Sequence, residues 1–375
     1  MNHRTKKSTR TPLPSRDEVW MERALEWARK GEGLTRPNPP VGAVVVRSGQ
    51  LIAEGYHQKA GGAHAEVNAL RKAGERARGS TVYVTLEPCC TWGRTPPCTK
   101  AIVEAGVARV VIGCTDPNPR HAGRGIRLLR RAGVEVQSDV CRAACEELIE
   151  PFALLMREGR PFVTLKLGLT LDGRIADERG ASRWITGPGS RRAVHDLRRR
   201  VDAILVGHNT ARRDNPSLVP VPSRGRKPWR VVLDAAGNLP LRSRLFADGL
   251  GRQTLVVTSS RSQLRYRASL RARGVEVEVL PTKRGQFAMR QLLLMLGRRG
   301  LLHVLCEGGG ALAGSLIRDG LVDEAWFFYA PRLLGANAVP AVGGPGWTLR
   351  NAPAWKLLSA ERVGDDVWVR VRPEQ

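Results

Sequence analysis

The 375-residue chain predicts an α/β fold in two domains. Short runs of Val, Leu and Ile, such as residues 41–46, 81–86 and 107–113, alternate with segments that have helical spacing. That alternation is typical of a largely parallel sheet with helices on both faces. A chain of this length commonly divides into two domains, and its apolar fraction of 42% is enough for buried cores.

The division is expected between residues 150 and 161. Residues 1–15 are basic and lack the apolar core of a secretory signal, which favours a disordered tail over a targeting peptide. Residues 16–150 carry the first alternating series, and residues 161–375 carry a second one. Residues 151–160 lie between the two series and end in a Gly-Arg pair before Pro161, so we expect a linker there.

The first domain is predicted to begin with a helix, because Val19, Ala24 and Trp27 share one face at helical spacing. A hairpin follows, whose strands flank the turn signal Ser48-Gly49-Gln50. The remaining expected elements are a helix at 64–77, a strand at 81–86, a helix at 97–105, a strand at 107–113, a helix at 124–131, a strand at 134–136 and a helix at 141–157.

The second domain repeats the alternation without an internal repeat of fixed period. The expected helices include residues 189–200, 262–273 and 286–296. The expected strands are residues 162–167, 203–206, 230–233, 254–257, 275–279, 302–306 and 325–329. This half is therefore also predicted to be α/β.

Cysteine usage and hydropathy favour a cytoplasmic protein. The seven cysteines are odd in number and scattered, which is typical of a reducing compartment. Cys114, Cys141, Cys145 and Cys306 are expected to be small core residues. No apolar run approaches the roughly 20 residues that a membrane span needs, so no membrane association is predicted.

The formal net charge is +26, a field that would attract nucleic acid, anionic surfaces or phosphorylated substrates. The arginines are spread along the chain and are not interleaved with aromatic residues. An arginine-rich composition is therefore favoured over nucleic-acid binding as the explanation of this charge.

Four residues of the first domain form the pattern of a catalytic zinc site. His64, Cys89 and Cys98 offer one imidazole and two thiols, three protein ligands that leave a fourth position for water. Glu66 stands two residues after His64, and zinc deaminases use such a glutamate to move protons. His64 and Cys98 are each expected in the first turn of a helix, so two positive helix ends would converge on one ion.

One alternative stays open for this pattern. A purely structural zinc would need a fourth ligand, and Cys90 could supply it. His-x-Glu alone occurs by chance in many helices. The prediction of a zinc site therefore depends on His64 and Glu66 occurring together with Cys89 and Cys98. Zinc deaminases usually have Pro-Cys-x-x-Cys, whereas here Cys98 follows Cys89 by nine positions. This spacing restricts the choice among zinc-deaminase families.

Six short motifs surround the zinc pattern: Asn38-Pro39-Pro40-Val41-Gly42, Gly55-Tyr56-His57, His64-Ala65-Glu66-Val67, Thr85-Leu86-Glu87-Pro88-Cys89, Gly93-Arg94-Thr95-Pro96-Pro97-Cys98 and Asp116-Pro117-Asn118-Pro119. Together they resemble the bifunctional deaminase/reductase family of riboflavin biosynthesis, in which the two cysteine ligands have this spacing. The resemblance implies a cytidine-deaminase-like three-layer fold, a bound Zn²⁺ and a pyrimidine substrate that carries a ribose phosphate. By position, Asn38, His57 and Arg94 would contact that substrate. Arg94 as an exposed loop charge is the open alternative.

The second domain carries a glycine-rich turn, Glu307-Gly308-Gly309-Gly310, between a strand and a helix. Backbone N–H groups at such a helix start can hold a phosphate, although a tight turn would also need glycine. Further motifs are similar to the reductase domain of the same family: Lys166-Leu167-Gly168-Leu169-Thr170-Leu171-Asp172-Gly173-Arg174, Ser182-Arg183-Trp184-Ile185-Thr186, His195-Asp196-Leu197-Arg198 and Thr210-Ala211-Arg212-Arg213-Asp214-Asn215-Pro216. This resemblance implies a dihydrofolate-reductase-like α/β domain that binds NADPH.

The resemblance also assigns roles in the second domain. Residues expected to contact NADPH are Gly168, Trp184, Thr210, Asp214 and the turn Gly309, Gly310, Ala311, Leu312, Ala313, Gly314 and Ser315. Residues expected at the sugar-phosphate site are Lys166, Ser182, Arg198, Leu218 and Glu307. Trp184 as a core residue and Arg198 as part of a solvated arginine face are the alternatives.

The chain departs from the family in both halves. Thr91 stands where the family has a histidine that is thought to touch substrate, and Asn215 stands where it has aspartate. Val219 and Val221 stand where it often has threonine and arginine. The missing arginine would weaken phosphate binding unless Arg224 or Arg226 replaces it.

The predicted function is zinc-dependent hydrolytic deamination of a diaminopyrimidine ribosyl phosphate, followed by NADPH-dependent reduction of its ribosyl group to a ribityl chain. A phosphorylated pyrimidine is the expected small-molecule partner, and the resemblance implies a homo-oligomer. Two rival hypotheses are a nucleic-acid base deaminase that uses the basic surface, and a descendant that keeps only one of the two activities.

Overall fold

A computed structural model describes residues 14–119, 121–223 and 226–374. The chain forms two compact units. The first extends to Gly31 and resumes at Pro40–Ile149; the second contains Glu32–Pro39 and the residues from Glu150 onward. Residues 1–13, most of the predicted tail, lie outside the described residues.

The first unit is built on a five-stranded sheet of order β2-β1-β3-β4-β5. Its elements are α1 Arg16–Arg29, β1 Gly42–Arg47, β2 Gln50–Tyr56, α2 Ala65–Ala73, β3 Thr81–Leu86, α3 Cys98–Glu104, β4 Arg109–Cys114, α4 Arg124–Arg131, β5 Glu135–Gln137 and α5 Arg142–Glu158, which continues into the second unit. The expectation of a largely parallel sheet is only half right here. β1 pairs antiparallel with both β2 and β3, because the tight Ser48-Gly49 turn returns β2 beside β1.

Helices cover both faces of this sheet, which confirms the three-layer prediction. Ala43 and Val45 of β1 face a core that includes Ala69 of α2, while Val44 and Val46 face the opposite core with α1. Alternate residues of one strand are therefore both buried, as expected for a central strand covered on two sides. Ser15 and Glu18 exchange hydrogen bonds in a capping box that begins α1.

The second unit is built on a nine-stranded sheet of order β11-β10-β9-β8-β14-β6-β15-β18-β17. Its strands are β6 Phe162–Thr170, β7 Arg174–Ala176, β8 Ala203–Gly207, β9 Trp229–Leu233, β10 Thr254–Thr258, β11 Glu276–Val279, β12 Thr282–Lys283, β13 Gln286–Phe287, β14 His303–Cys306, β15 Glu324–Ala330, β16 Val339–Pro340, β17 Trp355–Val363 and β18 Asp366–Pro373. Its helices are α6 Pro188–Arg200, α7 His208–Asp214, α8 Arg244–Ala247, α9 Leu264–Arg271, α10 Met289–Arg298 and α11 Gly310–Arg318.

Two differences from the sequence-based prediction stand out in this unit. Residues 286–296 are not one helix, because β13 occupies Gln286–Phe287 and α10 begins at Met289. The closing hairpin of β17 and β18 was not predicted. The helix expected at 141–157 is present as α5 and includes the residues of the expected linker up to Glu158.

Seven strands of the nine-stranded sheet run parallel, in the spatial order β11, β10, β9, β8, β14, β6 and β15. Their carboxyl ends therefore lie at one edge of the sheet. Loops at that edge commonly carry binding sites in open α/β sheets. α7 follows β8 there, and the glycine-rich turn follows β14. Within the described residues, no helix has both the length and the apolar character needed to cross a membrane.

Candidate active sites

The first unit brings His64, Cys89 and Cys98 together; we call these three residues the metal cluster. Their side-chain donor atoms all lie within 4.8 Å of one another. The Nδ1 atom of His64 is 3.6 Å from the sulfur of Cys89 and 3.3 Å from that of Cys98. No other group of three such ligands occurs among residues 14–119, 121–223 and 226–374, and Cys90 is not part of this one.

Local structure explains how these residues converge. His64 is the N-cap of α2, Cys98 is the first residue of α3, and Cys89 lies three residues beyond the end of β3. The backbone N–H of Cys98 donates to the sulfur of Cys89 over 3.3 Å. Two helix N-termini therefore lie at the cluster, as predicted, and a helix N-terminus favours thiolate. The pKa of Cys89 is lowered, chiefly by the hydrogen bond with Cys98 and also by His64, whereas the same hydrogen bond and burial raise the pKa of Cys98.

Glu66 lies in the first turn of α2 and is 3% exposed. Its Oε2 atom is buried and has no hydrogen-bond partner among the described residues. Burial raises the pKa of Glu66, an effect that the charge of His64 partly offsets. A buried carboxylate oxygen without a partner, beside one imidazole and two thiols, is the arrangement that a metal ion with a bound water would complete. The residues present therefore fit a zinc ion.

The predicted substrate contacts of this half fall in different places. His57 is 2% exposed, its ring meets that of His64 edge to face at 5.0 Å, and burial lowers its pKa. Its Nδ1 lies 3.1 Å from the carbonyl of Ala63, which suits a neutral ring that donates there. Arg94 is exposed in the loop between the cysteines. Asn38 lies in the Glu32–Pro39 segment of the second unit, where its N–H donates to the carbonyl of Thr35.

In the second unit, Lys166, Arg198 and Glu307 form a second cluster, which we call the charged trio. Arg198 donates two hydrogen bonds to the carboxylate of Glu307, at 2.6 and 2.7 Å. Burial raises the pKa of Glu307, but the charge and hydrogen bonds of Arg198, together with the charges of Lys166 and His195, outweigh it and the pKa is lowered. Burial lowers the pKa of Lys166, although the charge of Glu307 opposes this. Arg198 is therefore an ion-pair residue of the site and not part of a solvated face.

The glycine-rich turn lies beside Thr210. Gly309 is the N-cap of α11, and a Cβ placed on it would stand 3.6 Å from the hydroxyl of Thr210. A Cβ on Gly310 would collide with the carbonyl of Pro340, so that position requires glycine. The free N–H groups at the start of α11 are thus open to an anion on the Thr210 side.

The other predicted residues of this unit differ in their surroundings. Ser182 donates to the carboxylate of Asp214 over 3.4 Å, and Arg183 donates to the Asp214 carbonyl. Trp184 is 61% exposed, with the guanidinium of Arg191 4.7 Å from its ring centre, so it is not a core residue. Gly168 faces Lys166 and Thr186, because a Cβ there would lie within 4 Å of both. Leu218 packs into the core and is 2% exposed.

Two family models match the chain. The RibD C-terminal domain matches residues 161–369, and the cytidine and deoxycytidylate deaminase zinc-binding region matches residues 14–114. The riboflavin biosynthesis protein RibD of Escherichia coli (strain K12) is 40% identical over 366 residues, which cover 94% of this chain and 98% of that protein. The chain belongs to the RibD family.

Other members agree closely. RibD of Aquifex aeolicus is 42% identical over 354 residues, which cover 94% of this chain and 97% of that protein. A solved structure of Acinetobacter baumannii RibD has a TM-score of 0.86 at 36% identity, covering 96% of this chain and 99% of that one. A diaminohydroxyphosphoribosylaminopyrimidine deaminase/5-amino-6-(5-phosphoribosylamino)uracil reductase from Thermotoga maritima superposes with a TM-score of 0.85 at 36% identity, covering 96% and 99% of the two chains.

Family membership establishes the broad function. The chain is a bifunctional enzyme of riboflavin biosynthesis, with a deaminase domain of cytidine-deaminase-like fold and a RibD-type reductase domain. Its cofactors are Zn²⁺ and NADPH. A reductase domain over more than half of the chain has no role in a nucleic-acid base deaminase, so that rival is not supported.

The departures from the RibD pattern can now be placed. Thr91 is exposed in the loop between the cysteines. The backbone of Val219 and Val221 is held by α6: Arg198 donates to the Val219 carbonyl, and Arg199 to the Val221 carbonyl. Of the two suggested replacements, Arg224 lies outside the described residues. Arg226 donates to the carbonyl of Gly33 and stands 3.7 Å from Asp202.

One residue that shapes the reductase site was missed from sequence. Asp366 of β18 is 2% exposed and accepts hydrogen bonds from the N–H of Gly187 and the hydroxyl of Ser190. It thereby caps α6, the helix that carries Arg198. β18 was not predicted, and no local pattern points to a partner 176 residues away.

Proposed function

We propose that the metal cluster holds the zinc ion and that Glu66 is the proton carrier of the deaminase. The supporting observation is the unpartnered, buried Oε2 of Glu66 beside three ligands of the right types. The proposed substrate is a diaminopyrimidine ribosyl phosphate, like the compound in the name of the Thermotoga maritima enzyme. The deaminase would comprise residues 16–150, and the reductase residues 161–375 after a short connection at 151–160.

Deamination adds the oxygen of water to a ring carbon and breaks the bond from that carbon to its amino group, which leaves as ammonia. Bound zinc would lower the pKa of a water molecule and make it nucleophilic at neutral pH. Glu66 would accept the proton of the attacking water and deliver it to the departing amine. Its burial suits this task, because a carboxylate with a raised pKa takes up the proton of the attacking water more readily.

The substrate would be oriented by groups around the cluster. A neutral His57 ring, oriented by the Ala63 carbonyl, would lie against the pyrimidine. Arg94 would meet the phosphate, because its exposed guanidinium is free to move to an anion. Asn38 is assigned to the substrate by its motif position alone.

For the reductase we propose that the charged trio, Ser182 and Leu218 belong to the sugar-phosphate site. NADPH would lie against Gly168, Trp184, Thr210, Asp214 and the turn from Gly309 to Ser315, and it would supply a hydride to C1′ of the ribosyl group. The bond from C1′ to the ring oxygen would break, giving a ribityl chain. Lys166, whose charge interacts with that of Glu307, would protonate the oxygen that is released.

The deciding experiment is Glu66→Gln. Amide and carboxylate have the same shape, so zinc should stay bound at one per chain while ammonia release falls by about 10²–10⁴-fold. NADPH-dependent reduction of the already deaminated substrate should be unchanged. Glu104→Gln, an exposed position on α3, is the matched control. Ammonia release at the wild-type rate in Glu66→Gln would reject the proton-carrier role.

We also propose a cytoplasmic homo-oligomer. All seven cysteines are free, as in a reducing compartment. The outer strand β17 and its neighbour β18 expose Leu357 (59%) and Val367 (43%), an apolar surface of the kind that a second copy covers. Sedimentation velocity should show a dimer or larger species for the wild type and a smaller one for Leu357→Lys; a monomeric wild type would contradict the proposal.

A further inference from the structure

The carboxylate of Glu87 is buried in the first unit and is not needed for any step proposed above. It follows β3 by one residue and precedes the metal-cluster residue Cys89 by two. It is 4% exposed, although glutamate is seldom so deeply buried without partners. The hydrogen bonds to its carboxylate from the described residues come from four backbone N–H groups between Asp116 and Ile126.

Both carboxylate oxygens are used. Oε1 accepts from the N–H of Gly125 at 2.8 Å and of Ile126 at 3.3 Å. Oε2 accepts from the N–H of Gly123 at 2.8 Å and of Asp116 at 3.3 Å. One side chain therefore satisfies the start of α4 and also the first residues of the loop that leads into it. A negative charge at a helix start is favourable, and hydrogen bonds to a charged acceptor are stronger than neutral ones.

Packing holds the same segment against the strand that leads to the metal cluster. A Cβ on Gly125 would collide with the carbonyl of Pro88, so the start of α4 lies directly on the residue before Cys89. The hydrogen bonds of Glu87 and the close contact of Gly125 with Pro88 thus hold the end of β3 against the start of α4, although no strand pairing joins these two segments. The start of α4 is therefore fixed against Pro88, the residue before Cys89, although none of the described residues of this segment belongs to the cluster.

We infer that Glu87 is a positioning residue of the deaminase, which fixes the start of α4 and the Asp116 backbone relative to Pro88 and Cys89. This inference rests on the proposed function for its kinetic consequence, because a segment that moves beside Pro88 and Cys89 would bind the pyrimidine less tightly. Binding that is lost equally from substrate and transition state raises KM and leaves kcat little changed. The metal ligands themselves keep their own supports at the starts of α2 and α3.

The test compares Glu87→Gln and Glu87→Ala with the wild type as full-length, zinc-loaded protein. In Glu87→Gln one oxygen becomes an NH₂ group, which faces backbone N–H donors and cannot accept from them. We expect faster hydrogen–deuterium exchange in peptides that cover residues 115–126, and no change in zinc content. The deamination KM should rise about 10- to 100-fold with kcat changed less than about threefold, and reduction should be unaffected. Glu87→Ala should show the same changes, at least as large.

Glu104→Gln is again the matched control and should leave exchange, zinc and KM as in the wild type. Loss of zinc, or equal loss of both activities, would show a general structural role and overturn the inference. Unchanged exchange in residues 115–126 would overturn it too, as would faster exchange with an unchanged KM. If the wild type itself released no ammonia, the proposed function would fail, while exchange and zinc content would still decide whether Glu87 fixes the loop.

Discussion

The metal cluster and the charged trio solve the problem of buried charge in opposite ways. Around the cluster, a buried carboxylate oxygen of Glu66 has no hydrogen-bond partner among the residues that the structure describes, and three ligand atoms lie close together. In the trio, Glu307 already accepts two hydrogen bonds from Arg198 within the protein. The first site therefore depends on an ion to complete it, whereas the carboxylate of the second is already paired before its organic ligands arrive.

Removal of the metal should produce the largest difference between the activities of the two sites. Dialysis against a chelator should reduce ammonia release by about 10³-fold or more, because the protein alone offers no substitute for the ion's effect on water. Reduction of the deaminated intermediate, followed by NADPH absorbance, should stay within about twofold, since the trio needs no ion. Restored ammonia release after zinc is added back is the control. An equal loss of both activities would remove the distinction.

Breaking the ion pair of the trio should give the next largest effect. Glu307→Gln leaves Arg198 half-buried beside a neutral amide, and hydrogen bonds to charged groups are worth about 1.5–3 kcal/mol. The reductase kcat/KM should therefore fall about 10- to 100-fold, with deamination unchanged. Glu361→Gln, an exposed position on β17, is the control. Wild-type reduction in Glu307→Gln would show that the pair serves neither binding nor chemistry.

The pH profile should sharpen the comparison further. Burial lowers the pKa of Lys166 below its usual 10.5, so its charged form disappears as pH rises through that lowered value. The reductase kcat/KM should therefore begin to decline at a lower alkaline pH than an ordinary lysine would give. Lys166→Arg should lower the reductase kcat and remove that decline, because arginine stays charged over this pH range and does not give up a proton. A wild-type profile that is flat up to pH 10.5 would contradict the proposed role of Lys166.

The smallest effect concerns Cys90. It stands outside the metal cluster, so Cys90→Ser should keep one zinc per chain and change deamination by less than about twofold. Cys98→Ser should lose zinc under the same conditions. Zinc loss in Cys90→Ser would instead support a structural zinc site with four protein ligands. The cluster would then leave no open position for water on the ion.

The metal cluster could be predicted from sequence because zinc restricts both the type and the number of its ligands. His64, Glu66, Cys89 and Cys98 also lie at ends of strongly patterned elements such as β3, whose six residues are almost all buried. The pairing direction of β1 could not be predicted, because a buried strand has the same apolar pattern in either orientation. β17 was missed since most of its residues are exposed and show little alternation.

The trio was harder to predict than the cluster. Lys166, Arg198 and Glu307 come from three distant segments, and each residue type is common on surfaces. Only the motif resemblance selected them, and only the structure showed the Arg198–Glu307 pair. Leu218 was selected by its motif position alone, and the structure shows its side chain in the core.

The bond from Asp366 to the start of α6 also has a consequence for the order in which the protein matures. Domains generally fold as the chain emerges during synthesis, with the N-terminal part first. The residues of the metal cluster are all made within the first hundred residues, whereas α6 receives its cap from a residue 176 positions later than Ser190. A nascent chain would therefore be able to bind zinc long before its reductase site is held in place. Synthesis that ended before β18 would yield a protein with the deaminase activity alone.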